Sequence, residues 1–157
     1  MHKHASTIPV VLYLDDSAQN RQAFHAAFRK EFKVLLAADL EEALHLLQAH
    51  RVHVLIADQR MPDTSGCEVL RMVRERFPNV RRMLVTAYAD LQAIVDALNH
   101  GGACYYIQKP WEEETVRRAV KAAFEEFLAE EERSAFTAKL IESNRQLEFA
   151  LRQRLLS

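Results

Sequence analysis

Val52-His53-Val54-Leu55-Ile56-Ala57-Asp58-Gln59-Arg60-Met61-Pro62-Asp63-Thr64-Ser65-Gly66-Cys67-Glu68 is the stretch that decides the fold. Val52 to Ala57 is nearly all apolar and of strand length, the pattern of a strand covered on both faces. It ends on an acid, Asp58. Pro62 interrupts the chain, and Ser65 with Glu68 three residues later has the spacing of a capping box, which predicts a helix over 65–77. Strand, loop and helix in that order make half of a βαβ unit.

The same unit recurs outward in both directions. On the N-terminal side, Val10–Leu14 is a second apolar strand and Ser17–Lys30 carries apolar residues at 23, 24, 27 and 28 with helical spacing. Val34–Ala37 follows as a strand, and 39–49 as a helix opened by a capping box of Asp39 and Glu42. On the C-terminal side, Met83–Val85 reads as a strand and 90–99 as a helix stopped by Gly101-Gly102. Tyr105–Ile107 is the fifth strand, and a fifth helix opens at Trp111 after Pro110, with Glu112, Glu113 and Glu114 where the helix dipole favours acids. Five strands alternating with five helices predict an α/β domain with a doubly wound parallel sheet. Such sheets place their ligand site outside the carboxyl ends of the strands.

Composition narrows the function classes. The chain has 157 residues, 49% hydrophobic and 27% charged. That is enough for one domain with its own core. A net charge of −1 gives no basic excess to attract nucleic acid or anionic lipid, so no direct nucleic-acid contact is expected. Cys67 and Cys104 do not make a disulfide framework, and are expected to pack as small apolar groups. The first apolar run, Ile8–Leu14, is too short for a signal peptide or membrane span. A cytoplasmic, membrane-free protein is the expectation. The seven histidines are scattered without ligand spacing to cysteine.

The residues at the strand ends carry the chemistry. Asp15 and Asp16 follow the first strand, Asp58 the third, Thr86 the fourth, and Lys109-Pro110 the fifth. Taken singly, each has a plain reading: Asp15 or Asp16 as a helix cap, Asp58 as a turn residue, Thr86 as a strand end, Lys109 as a solvated charge. Taken together, they converge on one crevice. Three carboxylates there repel one another, and a hard divalent cation such as Mg²⁺ relieves that repulsion. A lysine and a threonine hydroxyl can hold phosphoryl oxygens, and a carboxylate can accept a phosphoryl group as an acyl phosphate.

Leu14-Asp15-Asp16-Ser17, Asp58-Gln59-Arg60-Met61-Pro62-Asp63-Thr64-Ser65-Gly66, Val85-Thr86-Ala87 and Tyr106-Ile107-Gln108-Lys109-Pro110 resemble the receiver domain of two-component response regulators. The likeness runs over about 8–125. It implies a flavodoxin-like fold that takes a phosphoryl group from a sensor histidine kinase or phosphotransfer protein in a phosphorelay, rather than a metabolic enzyme. By that resemblance Asp58 is the phosphoacceptor, Asp16 and Asp58 bind Mg²⁺ directly, Asp15 assists through water, and Arg60 lends its backbone carbonyl. Thr86 and Lys109 bind the phosphoryl oxygens, and Tyr106 takes the switch-aromatic position. Val85-Thr86-Ala87-Tyr88-Ala89-Asp90 and Tyr105-Tyr106-Ile107-Gln108-Lys109-Pro110-Trp111 resemble receivers of hydrogenase-type activators, HD-type phosphodiesterases or sensor kinases; the plainer reading of Trp111 is a packing residue at a helix start. Arg60 and Tyr88, each two residues past a site residue, would flank the path of a hydrolytic water.

Residues 126–157 are expected to form a helical tail without glycine or proline. Leu140, Asn144, Leu147 and Leu151 recur at spacings of four, three and four, a short two-stranded seam with Asn at one a position. This predicts a parallel homodimer through the tail, or a linker to an output domain; the alternative is a solvated helix. A dehalogenase-like Mg²⁺-dependent phosphatase uses similar chemistry, but its paired acids follow the first strand as DxD, whereas here Asp15 and Asp16 are adjacent and the central acid follows the third. A flavodoxin would need a hydroxyl- and glycine-rich phosphate loop after the first strand. A phosphorylation-independent pseudo-receiver would not need the intact acid set.

Overall fold

The computed structural model describes residues 8–87, 92, 95, 99 and 105–156. The elements are β1 (Val10–Leu14), α1 (Ala18–Phe28), β2 (Lys33–Ala37), α2 (Leu40–Ala49), β3 (Val54–Asp58), α3 (Gly66–Arg76), β4 (Arg81–Thr86), β5 (Tyr105–Gln108) and α4 (Glu113–Leu156). The expected helix over 90–99 lies largely outside the described residues; Gln92, Val95 and Asn99 are helical. Tyr88 and Cys104 are outside them too.

All strand pairs are parallel, in the order β2-β1-β3-β4-β5. Side chains alternate across the sheet with period two. Leu12, Leu14, Leu55, Ala57 and Leu84 join Val69, Leu70 and Val73 of α3 and Ala43 and Leu47 of α2 on one face. Val11, Tyr13, Val54, Ile56, Met83, Val85 and Ile107 join Phe24 and Phe28 of α1 and Val116, Val120 and Ala123 of α4 on the other. The order reverses between β1 and β3, so a crevice opens at their carboxyl ends.

Local chemistry fixes the starts of α1, α2 and α3, each capped by a side-chain oxygen. Ser17 Oγ accepts from the Asn20 N–H at 3.2 Å, Asp39 Oδ1 from Glu42 at 2.9 Å, and Ser65 Oγ from Glu68 at 3.2 Å. Each box glutamate reaches back to the residue before the N-cap rather than to the N-cap N–H. Glu42 Oε1 accepts from the Ala38 N–H, and Glu68 Oε2 from the Thr64 hydroxyl.

Several boundaries differ from the sequence expectation. α1 stops at Phe28, because Phe28 O takes the N–H groups of both Glu31 and Phe32 and the chain turns so that Phe32 is buried. β4 begins at Arg81, two residues before its apolar run. Arg82 lies inside the strand, 7% exposed, and its guanidinium donates to Val80 O at 2.8 Å. α4 starts at Glu113 rather than Trp111, whose ring packs with Phe24 and Phe28. His53 is a core histidine. Its Nδ1 accepts from the Val10 N–H at 2.9 Å, and its ring stands edge-on to Phe124 and Phe127.

Two compact units divide the chain, Met1–Phe127 and Leu128–Ser157. In the first, α4 buries Val116, Val120, Ala123, Phe124 and Phe127 at helical spacing. In the second, residues 132–156 are helical and exposed, including Phe136, Leu140, Ile141, Leu147, Phe149 and Leu151.

Candidate phosphoacceptor and metal site

Each site residue arrives at the crevice on a strand terminus. Asp15 directly follows β1 and is 1% exposed; its neighbour Asp16 faces solvent. Asp58 is the last residue of β3 and is 3% exposed. Thr86 closes β4, buried, and its hydroxyl donates to Ala87 O at 3.4 Å, a long bond. Lys109 follows β5, joined to Pro110 by a cis peptide. Its N–H donates to Thr86 O at 2.9 Å, and the Gln59 N–H to Val85 O at 2.9 Å, so the strand pairing carries on into the loops.

Asp15, Asp16, Asp58 and Lys109 come together. One carboxylate oxygen from each of Asp15, Asp16 and Asp58 lies within 4.8 Å of the others. Lys109 Nζ stands 2.6 Å from Asp58 Oδ1, an ion pair to a buried carboxylate. Burial holds the Asp58 carboxyl above its ordinary pKa; Lys109 pulls it down, while the charges of Asp15 and Asp16 push it up. An all-oxygen donor set of one solvent-facing and two buried carboxylates suits a hard divalent cation. These acids could hold a metal ion.

Arg60 is exposed on the loop after Asp58. Tyr106 points outward from β5 and is 48% exposed, whereas its neighbours in the strand, Tyr105 and Ile107, face the core.

Further residues build the site, none of them singled out by the sequence. Gln59 ties the loop to α3: its carbonyl accepts from the Gly66 N–H at 3.0 Å, and its side-chain oxygen from the Cys67 N–H at 3.0 Å. Gly66 lets that approach happen, since a Cβ there would lie 2.6 Å from Asp58 O and 2.7 Å from Leu84 Cδ1. Tyr13 and Asn20 both donate to Asp15 Oδ2, at 2.9 and 3.0 Å. The signal for Tyr13 was its period-two position: two residues before Asp15, it projects from the same face of β1.

A parallel sheet of this order, with acids at its switch point and a lysine against the central one, defines a receiver-type signalling domain. The response regulator receiver domain family matches residues 11–121, and the chain belongs to that family. It is 39% identical over 116 residues to the hydrogenase transcriptional regulatory protein HoxA of Cupriavidus necator, covering 71% of this chain and 24% of that protein. It is 34% identical over 122 residues to HoxA of Bradyrhizobium diazoefficiens, covering 78% and 25%. The chain thus spans about a quarter of the length of these relatives. Among solved structures, the signal receiver domain of an HD domain-containing protein from Pseudomonas fluorescens Pf-5 superposes with a TM-score of 0.76 at 28% identity, covering 80% of this chain and 93% of that one. The likeness to hydrogenase-type and HD-type receivers is therefore real. The dehalogenase-like phosphatase has no support in these relatives. No helix of the described residues is long and apolar enough to cross a membrane.

Proposed function

We propose that Asp58 is the phosphoryl acceptor of this receiver, and that its donor is a sensor histidine kinase or a phosphotransfer protein. The observation that carries this reading is the ion pair of Lys109 with a buried Asp58 beside two further carboxylates. An Asp58 oxygen forms the new O–P bond as the donor's P–N bond breaks, and the donor imidazole keeps the electron pair. Lys109 moves its charge from the carboxylate to a phosphoryl oxygen, and the Thr86 hydroxyl, which makes a long bond to Ala87 O, turns to another. Asp16, Asp58 and the Arg60 carbonyl would hold Mg²⁺ directly, and Asp15 through water. When bound, Mg²⁺ offsets the negative charge that gathers at the crevice.

Tyr106 is the switch residue in this reading: its exposed ring turns inward once Thr86 has moved, a shift between two populated states. The protein acts in the cytoplasm as a relay, with self-phosphorylation and self-dephosphorylation its only chemistry and no direct contact with nucleic acid. The receiver occupies 8–125, and the tail, 126–157, pairs with the tail of a second copy. The test is acetyl phosphate with Mg²⁺, read by intact mass. The parent chain gains one phosphoryl group and Asp58→Asn gains none; a labelled Asp58→Asn overturns the assignment.

A further inference from the structure

The Asp15 carboxylate is pinned more completely than a metal-site acid needs for its own burial. Oδ1 accepts from the Ser17 N–H at 3.0 Å. Oδ2 accepts from the Tyr13 hydroxyl at 2.9 Å and from Asn20 Nδ2 at 3.0 Å. The main chain is held as well, with Arg21 Nη1 donating to Asp15 O at 2.7 Å and the Asp15 N–H to Ala37 O at 3.1 Å. A carboxylate offers about four lone-pair directions. Three are taken, and the one left is on Oδ1.

The Tyr13 hydroxyl cannot swing away from this bond. Its ring is 1% exposed and lies flat on Phe24, 4.2 Å between centroids and 7° between planes, with Trp111 edge-on to Phe24. Asp15 can therefore neither rotate nor offer both oxygens at once.

We propose that Tyr13, seconded by Asn20, is a specificity-determining positioning residue: by filling Asp15 Oδ2 it limits Asp15 to one lone pair and keeps the crevice selective for Mg²⁺ over Ca²⁺. This rests on the reading of the crevice as a Mg²⁺ site. The physical ground is ligand number. Mg²⁺ keeps octahedral geometry with several waters and needs few protein oxygens, whereas Ca²⁺ takes six to eight oxygens and gains from bidentate carboxylates. An acid locked to one lone pair costs Mg²⁺ little and denies Ca²⁺ a ligand.

The experiment is calorimetric titration of the full chain with MgCl₂ and with CaCl₂, for the parent, Tyr13→Phe and Asn20→Ala. Tyr13→Phe keeps the ring and its stack on Phe24 and removes only the donor; Asn20→Ala removes the second donor from a half-buried position, so the result does not hang on one variant. Altering partners of metal ligands shifts affinity by about 10–100-fold, and the ratio of the Ca²⁺ to the Mg²⁺ dissociation constant is expected to fall about tenfold in Tyr13→Phe, with Asn20→Ala moving the same way. A merely structural role would weaken both cations alike. Mg²⁺ binding with an unchanged ratio in both variants overturns the role of Tyr13 alone. Absence of Mg²⁺ binding to the parent chain overturns the reading of the crevice as well.

Discussion

Gly66→Ala tests whether the acceptor's place is set by the seating of α3 on β3. The added Cβ would meet Asp58 O at 2.6 Å and Leu84 Cδ1 at 2.7 Å. The leucine is fully buried and has little room to turn, and the carbonyl belongs to the acceptor's own backbone. The helix start must back away, which stretches the two 3.0 Å bonds by which Gln59 holds Gly66 and Cys67. Overpacking of this kind costs about 1–3 kcal/mol. Weakening the two hydrogen bonds adds about 1 kcal/mol, and the better helix propensity of alanine returns less than about 1 kcal/mol. The net is a loss of about 3 kcal/mol, or a melting point lowered by about 10 °C in a domain of this size. Ser65→Ala next door removes only a cap, about 1 kcal/mol, and is the control. Thermal melts by circular dichroism give the order, and acetyl phosphate labelling of the folded fraction reports whether Asp58 has moved. A Gly66→Ala chain that melts within about 4 °C of the parent and labels normally refutes the reasoning.

Because burial raises the Asp58 pKa, its contribution favours the folded state below the ordinary carboxylate pKa and is lost as pH rises through the folded value. In metal-free buffer at neutral pH, Asp58→Asn should therefore melt above the parent, and the gain should vanish below about pH 4; calorimetric melts across that range check the sign. Tyr106, 48% exposed here, should become buried in crystals grown with beryllofluoride and Mg²⁺; an unchanged ring free of lattice contacts counts against the switch. The full chain should scatter light as a dimer and a chain ending at Glu125 as a monomer. Equal dimerisation of the two removes the tail from that role.

The parts of this protein legible in its sequence were those in which one residue's chemistry is decided by its near neighbours. An apolar run such as Val10–Leu14 or Val54–Ala57 reads as a strand because burial on both faces leaves no room for polar residues, and the first polar residue past it marks the crevice. That logic reached Asp15, Asp58 and Thr86. It failed where a charged group is inside for a reason the sequence does not display. Arg82 satisfies its guanidinium on the carbonyls of Val80 and Pro78, so β4 begins two residues before the apolar run Met83–Val85 that marks it in the sequence. It failed again where partners are distant or the role is a bond rather than a pattern. His53 serves Val10, forty-three residues away in sequence, and Gln59 acts through two hydrogen bonds that no periodicity announces. Tyr13 is the instructive case, because its position was legible and its function was not. Alternation places it on the core face of β1, where an aliphatic residue would fill the same space against Phe24. Only a hydroxyl there can hold Asp15 Oδ2, and that choice is visible as chemistry only once β1, α1 and the acid are in place together.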